Sequence, residues 1–102
     1  MSYKIKLLPI VHTDLRKAKK WYNKQKEELG EEFKIEVGKE IDYIVESPEH
    51  YQRKYKELRQ SLVPRFPYAI FYQVEEQQKR VIIFGILHTS RDPELVRKRI
   101  KK

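Results

Sequence analysis

Cysteine is missing from this 102-residue chain. Its absence excludes a disulfide scaffold, a thiolate metal site and a cysteine nucleophile together, and fits a reducing compartment. Nor does any stretch approach the roughly 18 uninterrupted apolar residues that a membrane span requires. The opening Met1-Ser2-Tyr3-Lys4-Ile5-Lys6 has no apolar block of the kind a secretory leader carries, so a cytoplasmic protein is expected. There is no internal repeat, low-complexity tract or linker. The three histidines, His12, His50 and His88, are expected on a helix, a loop and a strand end, with no metal-ligand spacing among them. Neither a metal nor another cofactor is therefore expected. Ser61 and Ser90 lack the strand-to-helix elbow of a serine hydrolase, which sets aside a triad with His88.

Acidic charge is in deficit: 15 Asp and Glu stand against 23 Lys and Arg, a formal charge of +8. Such an excess concentrates polyanions around the molecule, which favours nucleic acid, ribosome or an acidic protein as partner. Much of the acidity is gathered between residues 30 and 50, in Glu31, Glu32, Glu36, Glu40, Asp42, Glu46 and Glu49. With 39% hydrophobic and 37% charged residues, the composition supports a folded core beneath a heavily charged surface. The length suits one domain over residues 1–102.

Tyr3, Ile5 and Leu7 alternate with Lys4 and Lys6, the period of a strand with one wet face. Pro9 suits the first turn of a helix, whose buried stripe is predicted as Val11, Leu15, Ala18, Tyr22 and Leu29. Gly30 is expected to close that helix in a left-handed cap. A second helix follows with Phe33, Val37, Ile41 and Ile44 inward, implying an antiparallel hairpin, and Ser47-Pro48 ends it. Gly38 within it suggests close approach by a neighbour. Strands are predicted over Tyr55–Ser61, Phe66–Val74 and Val81–Leu87, the last two joined by a loop from Glu75 to Lys79. Both of those are apolar on both faces and should be central. A last helix, Pro93–Ile100, can cover one face with Leu95, Val96 and Ile100. The expected fold is α+β, in the order β-α-α-β-β-β-(α), with a four-stranded, largely antiparallel sheet packed on a helical hairpin.

Several strings in this order resemble the RelE/ParE superfamily of type II toxin–antitoxin toxins. They are Asp14-Leu15, Trp21-Tyr22, Leu29-Gly30, Phe33 and Ser47-Pro48 in the helical half. The second half carries Leu58-Arg59, Arg65-Phe66-Pro67-Tyr68, Phe71-Tyr72-Gln73-Val74, Leu87-His88 and Ser90-Arg91-Asp92-Pro93, and is similar to the ParE-like branch. The resemblance implies a growth-inhibiting toxin neutralised by a cognate acidic antitoxin, as a homodimer or a toxin–antitoxin hetero-oligomer. It implies DNA gyrase as target in the ParE-like branch, and ribosome-bound mRNA in the RelE-like branch. A basic binding module without toxicity is the third reading.

Metal-free RNA cleavage needs a base for the 2′-hydroxyl, cations for the phosphorane and an acid for the leaving oxygen. On the RelE-like reading, resemblance puts His88 in the acid–base role and Arg59 as phosphate clamp. Lys54, Lys56, Arg65 and Arg91 are candidates for binding nucleic acid or another target. Each has a plainer reading. His88 can hydrogen-bond the Arg91-Asp92 turn, Arg59 can pair with a glutamate of the second helix, and Lys54 and Lys56 can be a solvated strand face. Phe66, Tyr68, Phe71 and Tyr72 can stack on bases or fill the core. The tail Arg97, Lys98, Arg99, Lys101 and Lys102 can contact phosphates or be a solvated helix end.

Overall fold

The computed structural model describes residues 3–55 and 57–100. Strand β1 (Lys4–Leu7) leads into α1 (Pro9–Gln25) and α2 (Leu29–Glu46), followed by β2 (Arg53–Tyr55), β3 (Leu58–Leu62), β4 (Tyr68–Glu75), β5 (Arg80–His88) and α3 (Glu94–Ile100). The five strands form one sheet in the order β1-β5-β4-β3-β2. β1 runs parallel to β5, and the remaining pairs are antiparallel.

The sheet thus has five strands and is mixed, which corrects the four-stranded expectation. A parallel pair needs a crossover connection, and here the helical hairpin carries the chain away from β1 toward the opposite edge. The strand expected over Tyr55–Ser61 is in fact two. Tyr55 stands opposite Leu58, so the chain reverses within the charged stretch where a single strand was expected. Lys56 lies outside the described residues.

β4 and β5 are central, as their apolar character on both parities requires. Ile70, Tyr72, Val81, Ile83 and Ile86 pack beneath the hairpin with Val11, Ala18, Tyr22, Phe33, Val37 and Ile44. Ala69, Phe71, Ile82, Phe84 and Leu87 face the other way, where Val96 of α3 is fully buried against them. The tyrosine within the first layer keeps its polar end satisfied: the Tyr72 hydroxyl donates to the Pro48 carbonyl at 2.8 Å. Burial pushes its pKa from 10.0 to about 12, against a lowering influence from Arg59. Its contribution to stability is therefore complete below pH 10 and falls as pH rises toward 12, by about 2–3 kcal/mol in all. Urea unfolding between pH 8 and 11 should show a shallower alkaline decline for Tyr72→Phe than for the parent.

Glycine contributes differently from expectation. α1 ends at Gln25 with an extended cap at Lys26, and the left-handed residue of the interhelix turn is Glu28, at φ 68. Gly30 instead sits in the first turn of α2, where its N–H donates to Asn23 Oδ1 at 2.7 Å. A Cβ there would lie 2.4 Å from the Lys19 carbonyl oxygen, so this glycine is where the helices touch. Gly38, by contrast, is exposed, and a Cβ added there would meet nothing within 4 Å. The close approach expected at Gly38 is absent. Gly38→Ala should accordingly raise stability by about 0.5–1 kcal/mol, since alanine is the better helix former and no neighbour objects. Chemical denaturation measures this directly.

Candidate functional site

β5 continues past the end of β1. The last register pair is Leu7 with Ile83, after which Leu8 donates to the Ile83 carbonyl and the chain turns into α1. A bulge places Phe84 opposite no β4 residue, so Ile86 returns to the helical face. The β5 edge beyond it is completed by side chains. Ile86 N–H donates to Asp14 Oδ2 at 3.1 Å, while Arg99 Nη1 donates to the Phe84 carbonyl at 2.8 Å and to Asp14 Oδ2 at 2.8 Å. Arg99, expected in a basic tail, is thus a part-buried tie between α3, α1 and β5. Lys101 and Lys102 lie outside the described residues.

A cleft of about 320 Å³ opens beside this edge. Its floor is Ile86, Leu87 and Tyr68, one wall is α1 with Lys17 and Trp21, and the other carries His88 and Arg91. His88 stands opposite Tyr68 in the strand register, with ring centroids 5.4 Å apart. Its Nδ1 accepts from Ser90 N–H at 3.1 Å, and its carbonyl accepts from Arg91 N–H at 2.9 Å. The histidine thus makes the turn contacts of its plainer reading. With Nδ1 an acceptor, a neutral imidazole carries its proton on Nε2. Burial raises the Tyr68 pKa, and the nearby Arg91 charge partly opposes the shift.

Arg59 is elsewhere. It pairs with Tyr72 in the register whereas His88 pairs with Tyr68, four residues apart along β4, or roughly 13 Å. Its Nη1 donates to the Tyr51 carbonyl at 2.6 Å, and no glutamate of α2 pairs with it among the described residues. Around it lies a smaller hollow of about 170 Å³ with Glu49, Glu57, Glu76 and Arg53. Glu49 and Glu76 share a hydrogen bond that pushes the Glu49 carboxyl up and draws the Glu76 carboxyl down. Three glutamates against two arginines make this hollow more acidic than basic, and Lys54 is exposed on β2 close by in sequence.

Arg65 is committed too. From a left-handed backbone position, φ 72, it bonds Glu32 at 2.7 Å and Glu36 at 3.3 Å and lies 5.5 Å from the Phe66 ring centre. Those bonds raise its pKa. It fastens the β3–β4 turn onto α2. Of the aromatic candidates for base stacking, Phe66, Phe71 and Tyr72 are core residues. Within the cleft, then, the structure gathers His88 and Arg91 from the sequence-predicted set, and leaves out Arg59, Arg65 and Lys54.

One feature sequence reasoning missed is the Glu40 carboxylate, buried on α2 and bonded by the hydroxyls of Ser61 and Tyr51, the latter at 2.7 Å. It ties α2 to β3. Ser61 is fully buried and held there, far from any nucleophilic role.

A family model for the ParE toxin of the type II toxin–antitoxin system parDE matches residues 5–93. This chain belongs to the ParE toxin family. No curated protein sequence matches this ParE-family toxin. Its fold is that of the chromosomal ParDE system from P. aeruginosa, with TM-score 0.75 and 14% identity over 85% of this chain and 96% of that one. It is also similar in fold to a free E. coli RelE double mutant, at TM-score 0.71 and 17% identity over 99% and 97% of the two chains. The RelBE2 toxin–antitoxin complex from Mycobacterium tuberculosis follows at TM-score 0.57 and 13% identity, over 86% and 99%. Among the described residues, no helix of the toxin is long and apolar enough to cross a membrane.

Proposed function

We propose that this toxin arrests growth by binding rather than cutting, in the ParE-like manner, with DNA gyrase as its target and a cognate acidic antitoxin as its neutraliser in the cytoplasm. The observation that carries the reading is the separation of His88 from Arg59, together with the binding of Arg59 to a backbone carbonyl. A phosphate clamp has to stand within reach of the acid–base group it serves. The span of the ParE family model over residues 5–93 supports the same branch. ParDE and RelBE2 are toxin–antitoxin systems by their own descriptions, which supports an antitoxin partner here.

Purified toxin should abolish gyrase supercoiling while leaving ribosome-bound messages intact. Codon-phased cuts in those messages would instead establish the RelE-like endonuclease reading, which His88 beside Arg91 and Lys17 favours. On the proposed reading, the double variant His88→Ala, Arg59→Ala remains as toxic as the parent; loss of killing with a retained fold refutes it. The antitoxin should find this basic surface by electrostatic steering, so added salt slows association more than it hastens dissociation. Stopped-flow mixing at two ionic strengths checks that.

A further inference from the structure

Trp21 is the chain's sole tryptophan, and it is 55% exposed. Its neighbour Tyr22 is buried in the core and meets it edge-on at 5.0 Å between ring centres, which steadies the indole beside the cleft. A single exposed ring is ordinary on a protein surface, and what distinguishes this one is the company it keeps. What surrounds it indicates the kind of partner. Lys17, Trp21 and Lys24 recur at i, i+4 and i+7 and so share one face of α1, with Lys20 alongside; all four are exposed. Lys17 and Lys24 are about 10 Å apart along the helix axis, with the indole between them.

Across the cleft, Arg91 is also exposed. Among the described residues, no carboxylate pairs with Lys17, Lys24 or Arg91. The carboxylate lining the cleft, Asp14, is occupied by Arg99 and Ile86 N–H. Net positive charge, an accessible flat ring and an imidazole whose neutral form donates from Nε2 thus converge on one hollow of about 320 Å³, the size of a small-ligand site.

We infer that this cleft is a binding site for single-stranded nucleic acid, in which one base stacks on Trp21 while the flanking phosphates are held by Lys17 and Lys24 on one side and Arg91 on the other. Base stacking on an aromatic ring within a cationic groove is how single strands are held without sequence preference. A purely acidic peptide such as poly-glutamate would satisfy the cations but bring no planar partner for the indole. A duplex keeps its bases stacked inside and cannot offer one. The site does not rest on gyrase being the toxin's target.

The single tryptophan is its own reporter. Titration with a ten-nucleotide oligo-dU or oligo-rU at low salt should quench its fluorescence, and the tighter of the two identifies the preferred sugar. Three phosphate contacts predict a slope of log K against log salt of about −2. With a labelled strand followed by anisotropy, Trp21→Leu should bind roughly tenfold or more weakly, Trp21→Phe should recover most of the loss, and Lys17→Glu with Arg91→Glu should abolish binding. All these positions are exposed, so unchanged thermal melting certifies the fold of each variant. The inference is overturned if neither strand quenches, if a duplex of equal length or poly-glutamate quenches to the same extent, or if Trp21→Leu binds as tightly as the parent.

Discussion

Replacing Asp14 by alanine should destabilise the protein by about 3 kcal/mol, the lower end of the loss when one member of a buried ion pair is removed, because this pair is only part-buried. The carboxylate is 8% exposed and its partner Arg99 is 19% exposed, so each charge has little water to replace its partner. Three bonds end on Asp14: Ile86 N–H at 3.1 Å and two from the Arg99 guanidinium, at 2.8 and 3.1 Å. Its removal strands a cation and a strand-edge N–H at once. Arg99 would keep its bond to the Phe84 carbonyl but lose the anchor that joins α3 to α1. The double variant Asp14→Ala, Arg99→Ala should recover part of the loss, because the worst consequence of the single change is an uncompensated charge. A double-mutant cycle by urea unfolding measures both. If Asp14→Ala costs less than 1 kcal/mol, the edge of β5 is satisfied some other way.

Phe33→Ala should cost a comparable 3–5 kcal/mol. The ring is fully buried and lies 5.3 Å from Tyr22, 5.2 Å from Phe66 and 4.9 Å from Tyr68, centre to centre. It therefore joins α1, α2 and the β3–β4 turn in one aromatic cluster. Because Tyr68 also floors the cleft beside His88, the loss should reach the candidate site. Phe33→Leu keeps much of the volume and should cost less than half as much. Heteronuclear NMR of the leucine variant should show shifts at Tyr68 and His88; a response confined to α2 would count against this linkage.

Much of this fold was legible from spacing. The buried stripe of α1, the centrality of β4 and β5 and the cover supplied by Val96 all follow from periodicity. What escaped was set by pairing over distance. Nothing local tells β1 to lie parallel beside β5, and nothing local reveals that two strands of register hold His88 and Arg59 apart. Gly30 resembled a helix terminator because a glycine next to a turn has two uses, conformational freedom and small size, and only the packed hairpin shows which applies.

Other misses had a signal. Phe33, Val37, Glu40 and Ile44 fall on one helical stripe, with Glu40 nearer its centre than Ile41. That placement marks the glutamate as an inward residue needing hydroxyl partners, and Ser61 and Tyr51 supply them. Likewise, in Trp21-Tyr22 only one ring can face the core, which leaves the other for the surface. Arg99 carried no such mark, since its partner Asp14 lies at the far end of the chain.

The parallel pairing of the first strand with the last also governs how the molecule comes into being. Until Arg80–Ile83 have been synthesised, Lys4–Leu7 have no neighbour to lie against, and the two central layers stay open. A nascent chain can close its helical hairpin early but cannot finish the sheet. The folded domain therefore forms only once β5 has been made, and a truncated product that stops before β5 cannot complete the sheet.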